Sequence, residues 1–275
     1  MTTWAEALVQ AAALGVQRLD AQLLLLHVLG LEASGRAWLI AHDDSSLTLA
    51  EQHRFLQSCS SRVAGKPLAY IVGHKEFFGL DLLVDSRVLV PRPETETLVD
   101  WALELVVSDE PRVLDLGTGS GAIALAIKRA RPGAQVEAVD NSADALNVAR
   151  LNARRLSLDV TFRQASWLAG STDFYDLIVA NPPYVAQDDP HLAALTHEPL
   201  AALAAGPDGL ADIRSIVAQA TTRLAASGCL LLEHGWDQAP TVRALLTAAG
   251  FRAVTSRRDL AGVERCSGGT WPELG

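Results

Sequence analysis

From residue 113 onward, short apolar runs alternate with amphipathic segments, and this alternation constrains the fold of the 275-residue chain more than any other feature. Such alternation is typical of a mostly parallel sheet covered by helices on both faces. Ligands of these sheets bind at the carboxyl ends of the strands, near the point where the strand order reverses. The pattern predicts strands at 113–116, 136–140, 160–164, 175–180, 229–233, 253–257 and 263–267, and helices at 121–130, 142–154, 213–225 and 239–249.

The first third of the chain has a different pattern, which predicts four or five short helices. Capping-box spacings at Thr3-x-x-Glu6 and Thr48-x-x-Glu51 mark two helix starts. Two apolar runs around the polar pair Asp85-Ser86 then predict a β-hairpin. We therefore expect a helical domain at 1–75, a hairpin linker at 76–90 and an α/β domain at 91–275.

Composition limits the possible partners. The net charge of −9 argues against direct nucleic-acid binding, because nonspecific affinity for nucleic acid comes from Lys and Arg side chains that neutralise phosphates. Three widely spaced cysteines without a CxxC pair are typical of a reducing cytoplasm and offer no structural metal site. The longest apolar stretch near the start, residues 21–31, is too short to cross a bilayer, and no leader precedes it. We expect a cytoplasmic monomer without membrane contact.

The most informative motif is Asn181-Pro182-Pro183-Tyr184, which follows the apolar run 177–180. A planar nitrogen, in a carboxamide or on a nucleobase, is a poor nucleophile because its lone pair is delocalised. The Asn181 side-chain carbonyl and the backbone carbonyl of Pro182 can each accept one N–H bond of an NH2 group, and the prolines stiffen this arrangement. The Tyr184 ring can stack on the flat substrate. A bare Pro-Pro pair also ends strands, so the motif needs support from elsewhere.

A second motif, Asp115-Leu116-Gly117-Thr118-Gly119-Ser120-Gly121, joins the first strand of the α/β part to its first helix. Its glycines allow the backbone to approach a ligand at a helix N-terminus, although the same glycine spacing also matches the fingerprint of dinucleotide-binding proteins. Asp115 favours the ammonium of a methionine moiety over a pyrophosphate. Asp140 is placed either to accept hydrogen bonds from both ribose hydroxyls or to cap the following helix. Trp167 is placed either to cover an adenine ring or to pack in the core. One ligand, S-adenosylmethionine, would use all of these residues.

With these motifs the chain resembles the peptide chain release factor glutamine N5-methyltransferases, the HemK or PrmC family. The resemblance covers nearly the whole sequence and includes segments beyond the two motifs, at 18–25, 65–73, 76–79, 90–96, 198–199, 209–210 and 259–265. The segment Val90-Pro91-Arg92-Pro93-Glu94-Thr95-Glu96, joined to this N-terminal region, looks specific to the family. The resemblance implies a Rossmann-like, class I S-adenosylmethionine-dependent fold with a seven-stranded mostly parallel sheet, a helical bundle and a linking hairpin.

The resemblance also implies methyl transfer to the glutamine of the Gly-Gly-Gln motif in class I release factors, which the helical domain would grip. Asn181, Pro182, Pro183 and Tyr184 would hold the substrate, and Asn181 would also border the cofactor. Three residues depart from the family pattern, namely Ser166, His197 and His234, and we expect the two histidines to pack or face solvent. The alternatives are an N6-adenine methyltransferase acting on DNA or RNA, a nonenzymatic binding module, and a nicotinamide oxidoreductase.

Overall fold

The computed structural model describes residues 2–31 and 35–272. The chain divides into two compact units, Met1–His74 and Lys75–Gly275. In the described ranges, no helix has both the length and the apolar character that a membrane span requires.

The described residues of the first unit form five α-helices around an apolar core. Thr3 and Thr48 both accept a hydrogen bond from the backbone N–H three residues later, and Glu6 and Glu51 bond back to the threonine N–H groups, so both predicted capping boxes are confirmed. Leu24, Leu25 and Phe55 are fully buried in the core. The helices are α1 Trp4–Ala13, α2 Arg18–Leu29, α3 Arg36–Ala41, α4 Leu49–Val63 and α5 Leu68–Val72.

The hairpin lies earlier in the chain than predicted. Its strands are β1 His74–Phe77 and β2 Leu80–Leu83, and residues 87–90 form no strand. A turn does lie at Asp85-Ser86, where the Val88 N–H donates to Asp85 O, but it does not join two strands, so the predicted position of the hairpin is wrong. Phe78 and Gly79 occupy the hairpin turn with φ of 50° and 73°, the left-handed conformation that a two-residue hairpin loop needs to match the twist of its strands. Glu76 and Glu96 stabilise this turn by accepting the Gly79 and Phe78 N–H groups.

A seven-stranded sheet forms the centre of the second unit, in the order β5-β4-β3-β6-β7-β9-β8. The first five strands in this order are parallel, and β9 pairs antiparallel with both β7 and β8. The strands are β3 Arg112–Leu116, β4 Gln135–Asp140, β5 Thr161–Gln164, β6 Tyr175–Ala180, β7 Leu224–Glu233, β8 Arg252–Arg258 and β9 Glu264–Thr270.

Helices cover both faces of this sheet, because successive side chains of its central strands point to opposite faces and both sets are apolar. Leu177 and Val179 of β6 belong to one buried cluster, whereas Ile178 and Ala180 belong to the other. The helices α6 Glu96–Leu105, α7 Ala122–Ala130 and α8 Ala143–Leu156 contribute to the first cluster, and α9 Ala211–Ala220 and α10 Ala239–Ala248 to the second.

The helix predicted at 213–225 is too long at its C-terminal end. Helix α9 stops at Ala220, and β7 already begins at Leu224. The Thr221 and Thr222 hydroxyls donate to the carbonyls of Ala218 and Gln219, which end the helix without a glycine or proline. The sequence analysis also did not predict α6.

The sheet topology brings the carboxyl ends of the five parallel strands to one edge. Leu116 at the end of β3 is paired with Ala180 of β6 on one side and with Val139 of β4 on the other. Because β4 and β6 lie on opposite sides of β3, the strand order reverses there. A crevice at this edge is the general ligand site of such sheets.

Candidate active site

A cavity of about 400 Å³ opens at this edge of the sheet, within the second unit. Its wall includes the four segments that carry predicted site residues, namely the loop after β3, the end of β4, the segment after β5 and the motif after β6, together with residues before α6 and in the region 199–212. The predicted site residues on its wall are Gly117, Thr118, Gly119, Ser120, Asp140, Trp167, Asn181 and Pro183. Four predicted residues do not line it: Asp115, Gly121, Pro182 and Tyr184.

The loop after β3 is tightly folded. Gly117, Gly119 and Gly121 have φ of 72°, 55° and 86°, which side chains rarely adopt. A Cβ at Gly117 would lie 3.2 Å from the Trp167 ring, whereas a Cβ at Gly119 would meet no atom within 4 Å. The Gly117 and Thr118 N–H groups donate to Val139 O, which holds the loop against β4. Gly119 therefore presents bare backbone where a ligand has room to approach.

Asp115 lies beneath this loop and is fully buried. Its Oδ2 accepts the Thr118 hydroxyl at 2.6 Å and the Ala124 N–H at 3.2 Å, and its Oδ1 has no hydrogen-bond partner among the described residues. Burial raises the pKa of this carboxyl to about 7, although the bonds from Thr118 and Ala124 favour the charged form. In the structure Asp115 holds the loop through Thr118 and does not line the cavity, and its predicted role toward a methionine ammonium stays a prediction.

Asp140 ends β4 and remains partly accessible on the cavity wall. Its Oδ2 accepts the Gly119 N–H at 2.9 Å and its Oδ1 accepts the Ser142 N–H at 2.8 Å. Each carboxylate oxygen has a second lone pair, so both can also accept from a pair of adjacent hydroxyls. The cap of α8 is Ser142, which accepts the Ala145 N–H, and not Asp140.

Trp167 forms one wall of the cavity in an unusual backbone conformation. Its φ is 52°, a value that costs energy for a bulky residue and that tends to occur at functional sites. Its ring packs over Gly117, and the neighbouring Asp212 also lines the cavity. Burial raises the pKa of the Asp212 carboxyl, which a hydrogen bond from Trp167 partly opposes. Asp212 was not predicted, because nothing in its helical surroundings distinguishes it.

The Asn181 motif follows β6 directly and is held at several points. Asn181 Nδ2 donates to the Thr95 hydroxyl oxygen at 3.1 Å, and Gln238 Nε2 donates to the Tyr184 backbone carbonyl at 3.0 Å. The Tyr184 hydroxyl reaches Glu233 Oε1 at 3.5 Å. Burial, followed by the nearby Glu233 charge, raises the pKa of Tyr184, so its phenol is neutral at ordinary pH. These hydrogen bonds restrict the conformation of the motif more than its two prolines would alone.

Around the motif lie charged residues to which the sequence analysis gave no role. Arg92, on the cavity wall, forms a 2.6 Å ion pair with the buried Glu198, which also accepts the Val90 N–H. This pair ties the segment before α6 to the segment after β6. Both residues belong to segments that carried the family resemblance, so a sequence signal for them existed.

His234, one of the three departures, is fully buried next to the site. Its Nδ1 bonds to Gly235 O and its Nε2 to the Ser267 hydroxyl. Burial lowers its pKa, which keeps the ring neutral. His234 therefore packs rather than acting as an accessible base. His197 is partly buried, and Ser166 lies on the cavity wall.

Curated relatives match this chain along almost its entire length. A release factor glutamine methyltransferase of Bordetella pertussis is 49% identical over 260 residues, which cover 93% of this chain and 95% of the relative. A release factor glutamine methyltransferase of Xylella fastidiosa is 47% identical over 271 residues, which cover 97% and 98%. The chain belongs to the release factor glutamine methyltransferase family. The resemblance inferred from the motifs is thereby confirmed.

Family models and solved structures agree with this assignment. The PrmC N-terminal domain model matches residues 1–73, and the Methyltransferase small domain model matches residues 95–206. A crystal structure of a methyltransferase from Pyrococcus furiosus aligns with a TM-score of 0.57 at 18% identity, covering 82% of this chain and all of that one. The enzyme is therefore an S-adenosylmethionine-dependent methyltransferase with the expected Rossmann-like domain, and the binding-module and oxidoreductase alternatives are not supported.

Proposed function

We propose that this enzyme transfers a methyl group from S-adenosylmethionine to N5, the side-chain amide nitrogen, of the glutamine in the Gly-Gly-Gln motif of class I peptide chain release factors. The main support is that a single cavity is lined both by Asp140, which is expected to bind the methyl donor, and by Asn181, which is expected to bind the substrate amide. A methyl donor and a carboxamide need to meet in one enclosed place, because reacting atoms must approach in line.

Features of the cavity fit the methyl donor. Asp140 offers two acceptors for the ribose hydroxyls, the open backbone at Gly119 leaves room at a helix N-terminus, and Trp167 offers a flat apolar wall for an adenine. Asp115 would act from beneath the loop: it fixes Thr118, and its buried charge favours a cation such as a methionine ammonium nearby. When bound, the donor supplies a methyl carbon attached to a positively charged sulfur. The sulfur keeps the electron pair of the carbon–sulfur bond when the methyl group is transferred.

Asn181 and Pro182 would bind the substrate amide. The Asn181 Nδ2 donates to Thr95, so the opposite side of its amide, the carbonyl oxygen, is left to accept an N–H of the glutamine. The Pro182 carbonyl would accept the other N–H, and the Tyr184 ring would pack on the amide plane. In the structure Pro183 lines the cavity, whereas Pro182 and Tyr184 do not. The two carbonyl acceptors favour a pyramidal nitrogen, whose lone pair is available for attack, over the planar ground state. As the nitrogen bonds to the methyl carbon through its lone pair, one of its two protons is released to solvent.

The N6-adenine alternative would use the same acceptors, but no observation favours it. The relatives at 47–49% identity carry the release factor name, and the net charge of −9 gives no surplus of cations for phosphates. A monomeric state, a cytoplasmic location and the absence of direct nucleic-acid and membrane contacts stay predictions. The role of residues 1–75 in gripping the release factor is likewise a proposal.

Mass spectrometry of a purified release factor after incubation with the enzyme and S-adenosylmethionine tests the proposed function. We expect a gain of one methyl group on the peptide that contains Gly-Gly-Gln, and none when that glutamine is replaced by asparagine. Methylation of adenine in an oligonucleotide, with an unmodified release factor, would instead support the alternative.

A further inference from the structure

Glu233 is a buried carboxyl group beside the Asn181 motif for which the mechanism above has no task. It is the last residue of β7, and only 1% of its surface is exposed. Glutamate is almost never buried to this extent unless it is paired, because removing a carboxylate from water is costly. Its Oε2 has no hydrogen-bond partner among the described residues. Such a residue calls for an explanation in terms of the groups around it.

Two hydroxyl groups lie close to the Glu233 carboxyl. The Tyr184 hydroxyl donates to Oε1 at 3.5 Å, and the Thr95 hydroxyl is near enough to lower the pKa of the carboxyl by hydrogen bonding. Tyr184 belongs to the motif that holds the substrate. Thr95, which is 4% exposed, contacts the first residue of that motif. Glu233 therefore contacts Tyr184 and influences Thr95, the residue that is hydrogen-bonded to Asn181.

The Thr95 hydroxyl is hydrogen-bonded to Asn181 and also lowers the pKa of the Glu233 carboxyl. Its oxygen accepts the Asn181 Nδ2–H bond at 3.1 Å, so its own proton is free to donate to a further acceptor. A carboxylate is an acceptor only, so a Thr95 hydroxyl that directs its proton to Glu233 must keep its oxygen turned to the Asn181 Nδ2–H group. If the Asn181 amide were reversed, its oxygen would face Thr95. The Thr95 hydroxyl would then have to donate its single proton to Asn181 and could no longer donate it to Glu233.

We propose that Thr95 and Glu233 are positioning residues that orient the Asn181 side chain so that its carbonyl oxygen faces the substrate amide. This inference rests on the proposed function of Asn181. Glu233 in its charged form accepts from both Thr95 and Tyr184, whereas the neutral acid has to donate its own proton and loses acceptor capacity. The charged form is therefore the one that holds both side chains in place.

Burial raises the pKa of Glu233 to about 7, which is only partly offset by Thr95, Arg265 and Tyr184. The charged and titratable groups around it are Glu94 and Arg92 before α6, Tyr184 after β6, and Arg265 and Cys266 on β9, with Asp259 paired to Arg265. Because the charged form is the active one, the rate should be full above this pKa and fall as the pH drops through it. At one pH unit below, about a tenth of the molecules remain charged.

Thr95→Val and Thr95→Ser form a matched pair of tests. Valine keeps the shape of threonine without the hydroxyl, and serine keeps the hydroxyl without the methyl group. In single-turnover assays with saturating cofactor and release factor, we expect Thr95→Val to lower the rate at least about tenfold. Thr95→Ser should remain within about threefold of the parent, and S-adenosylhomocysteine should bind all three proteins equally. Equal rates for both variants, whether high or low, would overturn the positioning role.

The Glu233→Gln variant distinguishes a fall in rate caused by protonation of Glu233 from one caused by another group. Asp115 is such a group, because its pKa is also raised to about 7. The parent rate should decline about tenfold between pH 8 and pH 6, and this decline should flatten in Glu233→Gln. An unchanged acidic decline in the variant would assign it to another group.

A readout without substrate keeps the test independent of the proposed function. Carboxyl NMR of the full-length protein should give a higher pKa for Glu233 in Thr95→Val than in the parent or in Thr95→Ser, because a hydroxyl that lowers it has been removed. An identical pKa in all three proteins would disprove the link between Thr95 and Glu233, whatever the enzyme methylates. A parent enzyme that leaves the release factor unmodified, with the pKa difference present, would instead contradict the proposed substrate.

Discussion

At the scale of single residues, Asn181 carries the catalytic proposal. Because its carbonyl would bind the NH2 group more tightly as the nitrogen becomes pyramidal, Asn181→Ala should lower kcat at least about a hundredfold, the scale of losing one preorganised polar partner. Binding of S-adenosylhomocysteine, measured by calorimetry, should change little. Methylation of the release factor at near the parent rate by Asn181→Ala would mean that the motif is only a structural turn.

Tyr184 offers a second residue-scale prediction. Its hydroxyl reaches Glu233 only at 3.5 Å, at the long limit of a hydrogen bond, whereas its ring is the part proposed to pack on the amide. Tyr184→Phe should therefore keep the single-turnover rate within about tenfold, and Tyr184→Ala should lower it far more. Comparable losses in the two variants would assign the main role to the hydroxyl rather than the ring.

Asp140 is the residue on which cofactor affinity should depend most. Each charge-assisted bond to a ribose hydroxyl contributes roughly 1.5 to 3 kcal/mol, so Asp140→Ala should weaken S-adenosylhomocysteine binding at least about tenfold. Asp140→Ala also removes the acceptor of the Gly119 and Ser142 N–H groups. Asp140→Asn keeps one acceptor oxygen there, so it should weaken binding less. Calorimetry on both variants decides the matter, and an unchanged affinity in Asp140→Ala would remove Asp140 from the site.

At the scale of structural elements, the loop between β3 and α7 can be tested against a loop of equal backbone strain. Gly117 and Gly262 have φ of 72° and 81°, so alanine at either position should cost about 1 kcal/mol of stability. Only Gly117 faces a close neighbour, because its added Cβ would lie 3.2 Å from the Trp167 ring, while Gly262 has open space. Gly117→Ala should therefore weaken cofactor binding, and Gly262→Ala should not. Equal affinities would show that the loop tolerates a displaced Trp167.

Elements were predictable where their signal is local. The central strands of the sheet are apolar runs because both of their faces are buried, as for Leu177 to Ala180. The capping boxes of α1 and α4 each need only four residues. The hairpin was misplaced because Phe78, a bulky residue at positive φ, carries no turn signal. The end of α9 was missed because threonine hydroxyls rather than a glycine or proline stop it.

At the scale of the whole molecule, the site depends on residues far apart in the sequence. The strand-end rule was sufficient to bring Gly119, Asp140 and Asn181 to one cavity. It could not reveal that Thr95, 86 residues earlier, bonds to Asn181, or that the Tyr184 hydroxyl reaches the buried Glu233. Nor could it place Asp115 beneath the loop, because burial depends on how α7 packs. Contacts of this kind are set by tertiary packing, and a single sequence contains no local signal for them.

The division of labour between the two units gives the last prediction. The unit from Lys75 onward contains the whole cavity and two apolar clusters of its own, so a protein that begins at Lys75 should bind S-adenosylhomocysteine within about threefold of the full chain. If the helical unit grips the release factor, kcat/KM for the intact factor should fall at least about a hundredfold, equivalent to some 2.7 kcal/mol of lost docking energy. A short peptide containing Gly-Gly-Gln is the matched control: it cannot use a remote grip, so both proteins should methylate it at similar rates. Undiminished turnover of the intact release factor by the truncated protein would reject the docking role, because the site would then recognise its substrate through the α/β unit alone.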